Sequence, residues 1–237
     1  MSTRVRPSTH DVSTRAGTLR IHVWEPLVKA AALTIVTVHP WAPLGGSEQN
    51  TAGVARAFAE AGYRALSFDM SSSSMIWGVF TNHGREVRQI VDLCKWSADK
   101  FKTPILLFGS SAGSPQAGSA LAQSEHAIGL ACVGYTWGFV SSIAFGRHYG
   151  SFLSSKKPRL LITGDADEFT SEQTLSKYVA KAGPSCDSIV VRGVGHFELE
   201  APHYDGAVAK YVLDWIEKVG LASGGGGGAS STCASSE

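Results

Sequence analysis

The sequence predicts an α/β fold in which helices cover both faces of a mostly parallel sheet. Short apolar runs with the length of buried strands alternate along the chain with longer segments of helical periodicity. The length of 237 residues and the 43% hydrophobic content suit one domain of ordinary size. We expect an N-terminal extension over residues 1–16, the domain over 17–220, and a disordered Gly/Ser-rich tail over 221–237.

The predicted strands and helices begin at residue 17. Residues 17–24 alternate apolar and polar side chains, as an edge-like strand does. The other predicted strands are apolar runs at 32–38, 65–69, 104–108, 127–135, 159–163 and 188–191. One predicted helix ends at residue 61, and another begins after residue 113. Three more are predicted at 87–101, 171–182 and about 202–219. Residues 137–157 are predicted to form a short loop.

The charge balance gives no reason to expect a nucleic-acid or membrane partner. Lys and Arg number 21 and Asp and Glu 20, without a basic stripe, and no run reaches the length of a membrane span. The four cysteines (Cys94, Cys132, Cys186, Cys233) have neither C-x-x-C nor metal-site spacing, so they predict no metal site. The N-terminus lacks the apolar core of a secretory signal. A cytoplasmic location is therefore expected, although the Arg- and Ser-containing leader is also compatible with an organelle.

Residues 109–113, Gly-Ser-Ser-Ala-Gly, match the pattern G-x-S-x-G and carry Ser111 at the centre. An apolar strand precedes them and a helix of small residues follows. A sharp turn from strand to helix holds its middle residue in a strained conformation, which small neighbours make tolerable. The hydroxyl of Ser111 is thus predicted to be an exposed nucleophile above the positive end of the next helix.

A serine nucleophile needs a base and a carboxylate that orients the base. In a parallel sheet these groups lie on loops at the carboxyl ends of the strands. One such loop carries three acids, Asp165, Asp167 and Glu168, and the loop after the last strand carries His196. His203 is the weaker alternative, because it stands at a predicted helix start. The chain order serine, acid, histidine is the one expected of this architecture.

At these motifs the chain resembles the α/β-hydrolases, over nearly all of residues 17–220. The family motif G-x-x-D aligns with 164–167 and favours Asp167 over Asp165, and the histidine motif aligns with 195–197. More narrowly, the chain is similar to a small lidless subgroup of plants and algae, of dienelactone-hydrolase-like size. The segments that carry this similarity are 39–46, 109–113, 145–148 and 193–197.

The resemblance implies a triad of Ser111, His196 and Asp167 and no large cap domain. It also implies an oxyanion hole formed by the backbone amides of Trp41 and Ala112. Pro40 stands where the superfamily often has glycine, and a proline has no N–H to contribute. His39 is expected to bond the backbone of its own loop. Aromatic residues near the strand ends are expected to line the substrate pocket, namely Trp77, Trp137, Phe139 and Phe145.

The sequence therefore predicts a serine hydrolase for carboxylic esters or thioesters with small to medium acyl groups. Its partner is a small-molecule substrate, and no nucleic acid or cofactor is involved. Two alternatives keep the same fold: a non-catalytic ligand receptor or scaffold, and an acyltransferase or lyase that uses the same three residues. The natural substrate and the oligomeric state are left open.

Overall fold

A computed structural model describes residues 5–28, 33–40, 45–70 and 84–222 of the chain. The strands are β1 (Pro7–Thr14), β2 (Gly17–Trp24), β3 (Thr34–Val38), β4 (Arg64–Phe68), β5 (Ile105–Ser110), β6 (Ala127–Val133), β7 (Arg159–Gly164) and β8 (Cys186–Val191). The helices are α1 (Gln49–Glu60), α2 (Arg85–Phe101), α3 (Gly113–Gln123), α4 (Phe139–Ser154), α5 (Glu172–Ala182), α6 (His196–Leu199) and α7 (Asp205–Lys218). A short 3₁₀ helix, Pro202–Tyr204, precedes α7.

The eight strands form one sheet in the order β1-β2-β4-β3-β5-β6-β7-β8. β1 and β2 are antiparallel to their neighbours, and the six strands from β4 to β8 in this order run parallel. Helices α2 to α5 cover one face, and α1 and α7 cover the other. The prediction of a mostly parallel sheet wrapped on both faces is therefore confirmed.

The central strand β5 shows why the apolar runs are continuous. Successive side chains of a strand point to opposite faces of the sheet. Ile105 and Leu107 pack into the core on the α2–α5 side, whereas Leu106 and Phe108 pack against α1 and α7. Since both faces are covered, every position of the strand is buried, and the sequence shows no alternation.

The first strand differs from the sequence prediction. Residues 7–14, predicted to belong to an extension, pair with β2 along its whole length, from Pro7 opposite Trp24 to Thr14 opposite Gly17. Val12 is the one β1 residue in the buried core, so the segment has no apolar periodicity to reveal it. β2 is consequently the second strand of the sheet and not its edge.

The segment 137–157 also differs, because it contains the 16-residue helix α4 where a loop was predicted. Two glycines and four serines weaken its intrinsic helix propensity. Packing against α3 compensates: a Cβ atom on Gly118 would lie 3.1 Å from the Cβ of Phe152, so the two helices are in close contact. No separate cap domain is present in the ranges that the structure describes.

Candidate active site

Ser111 occupies the turn between β5 and α3 with a φ of 47°, in the left-handed region that non-glycine residues rarely adopt. Its amide donates a hydrogen bond to the carbonyl oxygen of Val133 on the neighbouring strand, at 2.9 Å. The flanking glycines have no room for a side chain. A Cβ on Gly109 would lie 2.6 Å from the Cα of Ser114, and one on Gly113 would lie 2.3 Å from the carbonyl oxygen of His39. The turn therefore requires both glycines and holds Ser111 in a strained conformation.

His196 is the first residue of α6, directly after the loop that follows β8. Its Nε2 atom lies 2.8 Å from the Oγ of Ser111, and its Nδ1 atom lies 2.8 Å from Oδ2 of Asp167. The backbone amide of His196 donates to a carboxylate oxygen of Glu168 at 2.9 Å, which fixes the start of the helix. The three side chains predicted to act together thus form one hydrogen-bonded series.

Asp167 is held by the loop after β7. Its Oδ1 atom accepts hydrogen bonds from the amides of Phe169 and Thr170, each at 2.8 Å. These bonds leave Oδ2 directed at His196. The carboxylate is therefore oriented before any substrate binds.

Asp165 and His203, the alternatives to Asp167 and His196, lie outside this hydrogen-bonded series. Asp165 accepts a hydrogen bond from the amide of Gly193 at 2.7 Å and lies 3.5 Å from the guanidinium of Arg192, so it joins the loops after β7 and β8. His203 lies in the 3₁₀ helix, exposed, with its ring beside that of Tyr204. Neither residue bonds to Ser111 or to the ring of His196.

The electrostatic surroundings favour a charged His196. Burial by itself lowers the pKa of the imidazole, but the hydrogen bond to Asp167 and the negative charges of Glu200, Asp167 and Glu168 outweigh burial and raise the pKa above its ordinary value. When Nδ1–H donates a hydrogen bond to Asp167, the lone pair of Nε2 can accept the proton of the Ser111 hydroxyl. The hydrogen bonds and the surrounding charges are those that a general base requires.

Glu200 is a member of the site that the sequence analysis does not include. Its Oε1 atom accepts a hydrogen bond from the hydroxyl of Ser110 at 2.6 Å, and its Oε2 atom lies 3.8 Å from Nε2 of His196. Burial raises the pKa of this carboxyl to about 7, although His196 and Ser110 oppose the shift. The signal in the sequence is the spacing of four residues from His196, which puts both side chains on one side of a helical turn.

A groove with a cavity of about 280 Å³ opens beside the candidate nucleophile. Ser111 and Ala112 line it, and the rings of Phe145, Phe169 and Phe197 contribute apolar surface. Such a mostly apolar cleft with a few polar groups is the usual form of a small-molecule site.

Comparison with known proteins yields matches among solved structures. No protein-family model matches the sequence, and no curated protein is significantly similar to it. A serine hydrolase without lid from Xanthomonas campestris superposes with a TM-score of 0.71 at 22% identity, over 89% of this chain and 95% of its own. The chain has the α/β-hydrolase fold.

Two further solved structures superpose over a similar share of the chain. A dienelactone hydrolase from Anabaena variabilis has a TM-score of 0.67 at 20% identity, over 90% of this chain and 98% of its own. An esterase from Pyrococcus furiosus has a TM-score of 0.70 at 14% identity, over 90% of this chain and 91% of its own. The predicted fold class is confirmed, whereas the similarity to a plant and algal subgroup stays a prediction.

Of the aromatic residues predicted to line the substrate pocket, some lie in the groove and others do not. Phe145 lines the groove. Trp137 does not: it is 4% exposed and stacks between Tyr135 and Tyr178, with ring centroids 4.0 and 3.9 Å away. It contributes to the core because its strand end is covered by α4 and α5. The side chain of Phe139, at the start of α4, and all of Trp77 lie outside the described residues.

The oxyanion residues of the α/β-hydrolase pattern are described in part. Ala112 precedes the first residue of α3, beside Ser111, and Trp41 lies outside the described ranges. His39 bonds backbone groups as expected, with Nδ1 2.5 Å from the carbonyl oxygen of Pro40 and Nε2 accepting from the amide of Met70 at 2.9 Å. Burial lowers the pKa of His39, so its ring is a neutral structural link between the loops after β3 and β4.

Over the described part of the chain, no helix has the length and apolar character needed to cross a membrane. Over the same residues, no cluster of three or more His, Cys, Asp and Glu side chains could hold a metal ion. Cys94, Cys132 and Cys186 are buried free thiols.

Proposed function

We propose that the protein is a serine hydrolase that cleaves carboxylic esters or thioesters with small to medium acyl groups. The observation that carries the proposal is the series from Ser111 Oγ through His196 to Asp167, with both joining distances at 2.8 Å. Two solved structures with this fold are named as an esterase and a dienelactone hydrolase, which supports a hydrolase of this chemical class.

In the acylation step, His196 takes the proton from the Ser111 hydroxyl as the oxygen attacks the carbonyl carbon of the substrate. The imidazolium that forms is stabilised by Asp167, which lies on its Nδ1 side. His196 then passes the proton to the departing alcohol or thiol, and the carbonyl carbon stays bonded to Ser111 as an acyl-enzyme. Water, activated by the same histidine, releases the acid and restores Ser111.

The tetrahedral intermediate carries a negative oxygen that needs hydrogen-bond donors. We assign this role to the amide of Ala112, which stands at the start of α3 beside the nucleophile, and from the sequence pattern to the amide of Trp41. Losing one such donor costs about 10²–10³ in rate. The positive end of α3 favours the same negative charge.

The cavity of about 280 Å³ supports small to medium acyl groups. Ala144 and the ring of Phe145 border part of it, so an acyl chain of a few carbons would bury its apolar surface there.

Hydrolysis of p-nitrophenyl acetate and butyrate tests the proposal. Ser111→Ala is expected to lower kcat by at least about 10³-fold, since the nucleophile is lost. Ser176→Ala, an exposed serine on α5, serves as the matched control and keeps wild-type turnover. Wild-type turnover by Ser111→Ala would refute the proposal. Product analysis with a competing alcohol then separates hydrolysis from acyl transfer.

A further inference from the structure

Glu200 is a buried carboxyl group whose neighbours in the described ranges include no lysine or arginine. The groups that face it are the hydroxyl of Ser110 from the end of β5, the imidazole of His196 from α6, and the carboxylate of Asp167 from the loop after β7. Its side chain is 11% exposed, and it lines the groove beside Ser111. When His196 is in the neutral form that acts as a base, the ionised carboxylate of Glu200 has no positive partner, and such a charge is costly to bury. A ligand with a positive charge would supply that partner.

Glu200 lies on the side of the site where the leaving group departs, and not on the side of the acyl chain. To protonate the departing atom, Nε2 of His196 must come within about 3 Å of it. Oε2 of Glu200 lies 3.8 Å from the same nitrogen. The first atoms of the leaving group therefore pass beside the carboxyl group of Glu200.

Two aromatic rings stand at the same end of the groove. The rings of Phe169 and Phe197 lie 4.6 and 5.3 Å from the ring of His196 and 5.7 Å from each other, all in edge contacts. They are 39% and 68% exposed, unusually high for such large apolar side chains. Aromatic faces attract ammonium groups, and quaternary ammonium ligands are commonly bound by such rings.

We propose that Glu200, with Phe169 and Phe197, makes the site selective for leaving groups that carry a positive charge of the ammonium type. The inference rests on the proposed function, because the leaving-group side is defined by proton transfer from His196. Unlike charges several ångströms apart in a partly screened groove are expected to change kcat/KM by about tenfold. An anionic leaving group is repelled by the same carboxylate.

A pair of isosteric esters tests the charge preference at pH 8, where most of Glu200 is ionised. Butyrylcholine and 3,3-dimethylbutyl butyrate have the same shape and differ in the charge of one atom. The wild-type protein is expected to favour butyrylcholine by about tenfold in kcat/KM, and Glu200→Gln to bring the ratio close to one. Glu198→Gln, an exposed acid on the same helix and outside the groove, is the matched control and keeps the wild-type ratio.

Binding measured without turnover separates this inference from the proposed function. Isothermal titration of the Ser111→Ala protein with the two esters should give tighter binding of butyrylcholine, and the added Glu200→Gln change should remove the difference. If the wild-type protein cleaves neither these esters nor p-nitrophenyl butyrate, the proposed function fails while the titration still decides the charge preference. Equal affinities, or no measurable binding of butyrylcholine, overturn the inference.

Discussion

The position of Gly113 is defined by the carbonyl oxygen of His39, which would lie only 2.3 Å from a Cβ atom at residue 113. Side-chain carbons do not approach an oxygen so closely, so α3 can begin at this point only with glycine. The contact brings the start of the helix against the carboxyl end of β3. The strained turn at Ser111 is held between these two elements.

Replacing Gly113 by alanine should therefore disturb both stability and the candidate site. We expect Gly113→Ala to lower the free energy of unfolding by about 1–3 kcal/mol and to reduce kcat/KM for p-nitrophenyl butyrate. Gly206→Ala is the control, because a Cβ there meets nothing within 4 Å and the residue lies in α7; it should raise stability by about 0.5–1 kcal/mol. Thermal denaturation and initial rates measure both effects. Wild-type stability and activity in Gly113→Ala would contradict the packing described.

The two aspartates of one loop should differ sharply in their effect on activity. Asp167→Asn removes the charge that faces Nδ1 of His196, so kcat/KM should fall about 10³–10⁴-fold. Asp165→Asn weakens the link to Gly193 and leaves the imidazole untouched, so the loss should stay below about tenfold. Steady-state kinetics on the purified variants compare them. Equal losses in the two variants would contradict the assignment of Asp167.

The pH profile should reflect the raised pKa of His196. Its base form is the active one, so kcat/KM should fall as the pH drops through a midpoint above the ordinary histidine value of about 6.5. The carboxylates that face the imidazole are Asp167 and Glu168 from the loop after β7 and Glu200 from the end of α6. Glu200→Gln removes one of these charges, which lowers the pKa of His196 and moves the midpoint to lower pH. A midpoint that moves to higher pH in this variant would contradict the arrangement.

The groove should limit the acyl group by size. Ala144 borders the cavity, so Ala144→Phe is expected to lower kcat/KM for p-nitrophenyl butyrate at least about tenfold more than for the acetate. Ile143→Phe is the matched control, since residue 143 is 61% exposed and does not line the groove. A series of esters of increasing acyl length measures the effect. If Ala144→Phe leaves the ratio of kcat/KM for the acetate and the butyrate unchanged, the acyl chain does not bind beside Ala144.

Features that depend on local pattern could be predicted from the sequence. The buried strands leave continuous apolar runs, and the turn at Ser111 requires glycines at positions 109 and 113 because of the backbone contacts there. The histidine at 196 and the acid at 167 follow strand ends, where a parallel sheet must bring such groups together.

Features that depend on tertiary contact could not be predicted. β1 has a single core residue, Val12, and α4 forms against α3 in spite of its weak propensity. Trp137 resembles a pocket residue in the sequence, but two helices cover it. Glu200 becomes part of the site because a one-turn helix returns it toward His196 and because burial alters its charge. The spacing of four residues is a trace of the first effect, but a single helical turn is too short to be predicted from apolar periodicity.

Labelling of the native protein with a fluorophosphonate probe, followed by mass mapping of the modified peptide, tests the central claim most directly. The hydrogen bond from Ser111 to His196 predicts one modified serine, Ser111, with labelling strongly slowed in His196→Ala and abolished in Ser111→Ala. Absence of labelling, or modification of another serine while Ser111 stays unmodified, would contradict the account.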